Sequence, residues 1–237
     1  MSPAKNPGRF ASLLYLLMSI PGAFALIYVP SKLIVDGNAT ATANRIAASE
    51  RLFRLGIAGQ LISQVLFIFV ALVLYDLLKG VHQRHASLML TLVVVSIPIA
   101  FLNELNAIAA LVLVRGADFL SIFEKPQRDA MAMQFLNLHN HGFGLVAIFW
   151  GLWLFPLGLL VYRSGFVPRI LGVLLMVNGF AYPVTSCTSL LLPQYEHIVS
   201  RWMMPLQFGE LLFMLWLLIK GATPKPFVGP RSSAPVG

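Results

Sequence analysis

Six apolar runs, at about 10–30, 55–78, 87–114, 142–162, 170–192 and 203–220, set the terms for any fold of this chain. Each reaches the length of about 20 residues that a helix needs to cross the hydrocarbon core of a bilayer. The residues between them do not dilute this signal: the chain is 58% hydrophobic and only 11% charged. Soluble domains carry about 25% charged residues, and a soluble surface this large would lack the charges to cover it. The sequence therefore predicts an all-α polytopic membrane protein with a bundle of six transmembrane helices. No polar linker divides the runs, so one transmembrane domain is expected over 1–220. The Pro-, Gly- and Ser-rich segment 221–237 is expected to be a disordered cytoplasmic tail.

The first run begins like a signal peptide. Lys5 and Arg9 precede it, and Ala23 and Ala25 form an Ala-x-Ala pattern. The apolar run continues through Leu26, Ile27, Tyr28 and Val29, which a cleaved signal does not need, so it is read as a retained first span. Orientation follows from basic residues in short loops. One side carries Lys5, Arg9, Lys79, Arg84, Arg163, Arg169, Lys220, Lys225 and Arg231, with Asp76 the only nearby acid. The other carries Lys32, Arg45, Arg51, Arg54, Arg115, Lys125, Arg128 and Arg201, in longer loops and among six acids. The denser, acid-poor side is expected to be cytoplasmic. Both termini lie on it.

Two loops on the opposite side have structure of their own. Thr40 to Gly56 is rich in Ala, Leu and Arg, with Glu50 and Arg54 at i,i+4, and predicts an extra extracytoplasmic helix feeding the second span. Asp118 to Met133 has four large apolar residues before Glu124-Lys125-Pro126 and is expected to lie on the membrane surface.

Polar residues inside the spans matter most for function, because ionisable groups there are costly and face the bundle interior. Asp76 stands three residues before Lys79 and is read as its surface partner. Glu104 and Glu210 have no adjacent base. Helical spacing groups their neighbours: Met203, Gln207, Glu210 and Met214 form one stripe; Gln60, Ser63 and Gln64 share a face; Asn178, Tyr182, Thr185 and Ser189 share another; Asn103 and Asn106 flank Glu104. With alternating topology all of these fall in the outer half of the bundle. The ligand-binding candidates are therefore Gln60, Gln64, Asn103, Glu104, Asn137, His141, Tyr182, Gln207 and Glu210, and the catalytic candidates are Glu104, Glu210 and His141.

His141 enters through the stretch FLNLHNHGFG, residues 135–144. On a helix, residues i and i+2 point about 200° apart, so His139 and His141 converge only if 137–141 are unwound. The helical reading places His139 at the headgroup layer and His141 inside the bundle, on a face shared with Asn137, Gly144 and Ile148. Gly144, Gly151 and Gly158, seven apart, predict a smooth seam for close helix contact.

Several classes are disfavoured. The charge of +8 is scattered over loops and ends with no basic–aromatic stripe, so no nucleic acid partner is expected. There is no phosphate-cradling loop, His-Glu-x-x-His or Gly-x-Ser-x-Gly motif. No metal or cofactor is predicted, and mid-membrane histidines for haem are lacking. The single cysteine, Cys187, forms no intrachain disulfide.

The set Tyr28–Val35, Ala43–Ile46, Ser49–Gly56, Tyr162–Gly172, Leu191–Pro193 and Gly209–Leu211 resembles a bacterial family of multi-pass membrane proteins catalogued as a domain of unknown function. The similarity covers nearly the whole chain except the tail. It implies a bacterial origin and so a location in a bacterial inner membrane, and carries no activity. Three functions stay open. The leading one is a pocket in the outer half that binds a small amphiphilic or lipid-like molecule, for transport or sensing. The others are an enzyme using an intramembrane Glu as general acid or base, and a non-catalytic subunit of a membrane complex or homo-oligomer, with the acids joining helices.

Overall fold

The computed structural model describes residues 6–223, which form an all-helical bundle. The elements are α1 (Pro7–Leu33), α2 (Ala39–Ala48), α3 (Glu50–Leu78), α4 (Gln83–Arg115), α5 (Lys125–Ser164), α6 (Arg169–Leu191), α7 (Glu196–Met203) and α8 (Phe208–Lys220). Six helices are long and apolar enough to cross a membrane: α1, α3, α4, α5, α6 and the run Pro193–Lys220 that ends in α8. The extra helix expected before the second span is α2, separated from α3 by Ser49 (φ −129°, ψ 40°). Most of the expected tail, 224–237, lies outside the described residues. At its start, the Gly8 N–H donates to the Ala222 carbonyl at 2.9 Å, the Ala222 N–H donates to Asn6 Oδ1 at 3.0 Å, and Ala222 is buried.

The fourth span starts far earlier than its apolar run. Glu124 and Gln127 close a reciprocal capping box, and Pro126 sits in the first turn. These signals start a helix at Lys125 that a hydropathy reading passes over. The segment expected on the membrane surface therefore reduces to a short 3-10 turn, Asp118–Leu120, and residues 125–152 form continuous helix. Pro156 cannot donate to the Leu152 carbonyl, and the helix breaks at Trp153. At 40 residues, α5 is about 60 Å long, twice the hydrocarbon thickness of about 30 Å.

The surplus length builds a second layer. A proximal core, at the end that holds residues 6 and 223, contains Leu74, Leu78, Met89, Leu157, Leu160, Leu175, Phe213 and Leu217. A distal core, drawn from α1 to α5, contains Val29, Leu33, Ile46, Phe53, Leu111, Leu120 and Leu136. Buried polar residues, Gln60, Ser63, Gln64, Asn103 and Glu104 among them, lie between the two.

Two features set the helices around this polar belt. In α1, Pro21 and Pro30 bracket a π turn at Phe24–Tyr28, where the Val29 N–H reaches back to the Phe24 carbonyl. On α5, Gly151 and Gly158 lie so close to α6 that an added Cβ would strike the backbone oxygens of Gly179 and Gly172 at 2.6 Å. Gly144, expected in the same seam, faces open space and takes no part in it.

Candidate functional site

The polar belt lines separate clefts. Because 137–141 are helical, His139 and His141 leave α5 on different faces. The reading that put His139 at the headgroups and His141 inside is reversed. His139 Nε2 lies 3.1 Å from Glu104 Oε1, with Glu104 buried and His139 mostly so, whereas His141 is exposed. The stripe Asp129, Ala132, Leu136, His139, Phe143, Val146 alternates steps of three and four residues and is the inward face of the helix. That spacing is legible in the sequence, beside the competing face of Asn137 and His141.

The neighbouring residue, Asn103, holds the same histidine by its backbone. Its amide nitrogen donates to the His139 carbonyl at 2.9 Å, and its oxygen accepts from Asn106 at 3.3 Å. Gly142 makes this approach feasible, since a Cβ there would overlap the Asn103 amide. Asn103 and Glu104 thus clamp one turn of α5 from two sides.

The Glu104–His139 pair lines a distal cleft of about 480 Å³. Gln60, Glu104, Asn137, His139 and Asn140 supply polar atoms, and the Gln60 amide oxygen is buried without a hydrogen-bond partner. Apolar walls come from Leu26, Val29 and Ile34 of the first span and its end, Phe53 and Ile57 of α3, Leu136 and Phe143 of α5. Asp36 and Ser31 also line it.

The other candidates are elsewhere. Asn103 and His141 border a hollow of about 420 Å³ on the far side of α5, with Ser186 and Ser189 of α6. Gln64, Tyr182 and Glu210 line a proximal chamber of about 230 Å³ between α1, α3, α5, α6 and α8. Tyr15 lines it together with Glu210, and Gln64 Oε1 and the Trp150 indole nitrogen are buried without hydrogen-bond partners. The expectation that Glu104 and Glu210 share one cavity is therefore corrected: the first belongs to the distal cleft and the second to the proximal chamber. The Gln207 side chain lies outside what is described. Tyr15 was missed from sequence because helical spacing relates residues of one helix, and Tyr15 and Glu210 line one chamber from α1 and α8.

A helical bundle with six membrane-crossing helices and polar clefts between them is a multi-pass integral membrane protein, in contact with the lipid bilayer. The chain belongs to the family described as a domain of unknown function, DUF4386, whose model matches residues 10–221. A stretch of 74 residues is 39% identical to an uncharacterized protein of Archaeoglobus fulgidus, covering 31% of this chain and 43% of that protein. The match therefore spans less than half of that relative, and its archaeal source widens the bacterial origin implied by sequence. No solved structure matches the chain.

Proposed function

We propose that this protein holds a small amphiphilic molecule in the distal cleft, for transport or sensing, and that the distal end faces away from the cytoplasm. The observation that carries the reading is the cleft's division of labour. The orphaned Gln60 oxygen and the Glu104–His139 pair offer a polar floor, and the walls above it are apolar. Ligand sites generally combine apolar lining with a few convergent polar groups, and an unpaired buried acceptor costs about 1–3 kcal/mol unless something donates to it. An amphiphile with a hydroxyl or amine head satisfies Gln60 while its chain lies along Val29, Phe53 and Phe143.

The test is extraction of purified protein with organic solvent, followed by mass spectrometry. An amphiphile retained by the wild type should be depleted in Gln60→Leu at unchanged thermal stability. Identical extracts from the two folded proteins would refute the reading. Orientation is checked separately on a Cys187→Ser background. An impermeant thiol reagent on intact cells should label Ser121→Cys, in the exposed distal loop, and spare Gly80→Cys, in the exposed proximal loop.

A second reading is favoured by one distance. Glu104 Oε1 and His139 Nε2, 3.1 Å apart, form a carboxylate–imidazole pair able to exchange a proton with a bound group. On that reading the cleft is the active site of a membrane-embedded enzyme, and His139, in place of His141, works with Glu104.

A further inference from the structure

The proximal chamber differs in chemistry from the distal cleft, and its interpretation does not depend on the reading above. Five aromatic side chains line it: Tyr15 from α1, Phe67 from α3, Trp150 and Trp153 from α5, and Tyr182 from α6. Phe67 and Trp153 are locked edge-to-face with centroids 5.1 Å apart, and Trp153 is buried. Glu210 is the one carboxylate among the described lining residues, and no Lys, Arg or His is among them. The carboxyl shares the chamber with the Tyr15 phenol and has no basic partner among its described lining residues. Gln64, 4% exposed, presents a buried amide oxygen without a donor to the same space.

We propose that this chamber binds the cationic head of a lipophilic amine or quaternary ammonium ion, with Glu210 as its counter-charge. Aromatic rings attract cations through the negative potential of their faces. A carboxylate in an apolar span is costly, so it normally answers a positive charge or serves a transport path. Rings, carboxylate and spare amide oxygen all favour a positive guest, and the missing base means that no internal cation already fills the place. A way in exists as well. On the other side of Glu210 a hollow of about 330 Å³ shares Tyr15, Ser19, Tyr182 and Glu210, and its remaining lining is Met204, Phe208 and Leu211. Met204 and Phe208 are exposed, so an alkyl tail can lie along them toward the lipid while the head sits at Glu210.

The experiment uses the full chain in a neutral maltoside detergent. Hexyltrimethylammonium, its uncharged counterpart 1-heptanol and hexanesulfonate are titrated, with tryptophan fluorescence and thermal stability as readouts. The cation should quench fluorescence and bind at least about tenfold more tightly than either control, a difference of about 1.4 kcal/mol. Glu210→Gln should remove that preference. Trp150→Leu and Gln64→Leu should each weaken the cation severalfold and leave 1-heptanol unchanged. These two variants decide the matter if Glu210→Gln fails to fold. Dihexanoyl-phosphocholine carries the same ammonium beside a phosphate. Binding as tight as hexyltrimethylammonium assigns the site to lipid headgroups, and weaker binding assigns it to free amines. Equal affinity for cation and alcohol in the wild type, or an undiminished cation preference in folded Glu210→Gln, overturns the proposal.

Discussion

Glu104 and Glu210 sit in similar apolar helices and have different company. Glu104 is met by an imidazole from α5, and the Asn103 amide beside it grips the same turn of backbone. Glu210 shares its chamber with the Tyr15 phenol of α1 and other aromatic side chains, and with no base among the described lining residues. The distal carboxyl is thus tied into a closed arrangement that positions it, while the proximal one retains capacity for a guest. Two identical residues at two places in one bundle acquire opposite character from what the neighbouring helices bring. A buried charge is costly alone and tolerable when answered, and each cleft answers it differently.

That contrast can be broken most forcefully at the clamp. Gly142→Leu drives a side chain into the Asn103 amide. It should cost about 2–4 kcal/mol, combining overpacking with a lost hydrogen bond. Gly144→Leu, two residues on and facing open space, should leave the unfolding temperature in detergent near wild type. Comparable losses in the two variants would mean that the α4–α5 clamp is not special.

Removing the charge partners should give the next largest effects. His139→Leu strands the buried Glu104 carboxyl, for about 1–3 kcal/mol, whereas Tyr15→Phe removes only a hydroxyl from the lining of the chamber that holds Glu210, for less than about 1 kcal/mol. Equal destabilisation would erase the distinction between a positioned and an available carboxyl.

A subtler sharpening comes from coupling. Glu104→Gln and His139→Leu should interact by roughly 0.5–3 kcal/mol in a double-mutant cycle, as side chains in contact do. Glu104→Gln and Glu210→Gln line different clefts and should be additive within about 0.5 kcal/mol. Strong coupling between the two glutamates would restore a shared cavity. The smallest effect belongs to a third acid outside the comparison. Asp76 pairs with Lys79 at 2.6 Å in the open, raising the lysine's pKa through that hydrogen bond. Asp76→Asn should leave thermal stability unchanged.

The number and nature of the spans were legible because hydropathy is a local property, and the α2 helix was legible from local propensity. The early start of α5 was also written locally, in Glu124, Pro126 and Gln127, but in capping chemistry and not in hydropathy. The site divided differently. Residues on one helix face, such as Gln60 and Gln64, were grouped correctly, but four residues along a helix is about 6 Å, enough to assign them to different clefts. The pairing of Glu104 with His139 and the shared chamber of Glu210 and Tyr15 depend on how helices cross, and periodicity within one helix holds no record of that.

The join between the two ends of the described chain bears on how the protein is made. Ser12 of α1 hydrogen-bonds the Met214 carbonyl of α8, and Gly8 bonds Ala222. Because α1 precedes α8 in the chain, it finds these partners only once α8 has been made. Contacts so distant in sequence form late, and until then Ser12 and Gly8 are in the bilayer without them. On this geometry, completion of the sixth span is expected to stabilise α1. Chains stopped after α6 should insert and then be cleared rapidly by membrane proteases, and supplying residues 193–223 as a separate polypeptide should lengthen their lifetime in a pulse–chase experiment. An equal lifetime with and without that polypeptide would show that α1 matures on its own.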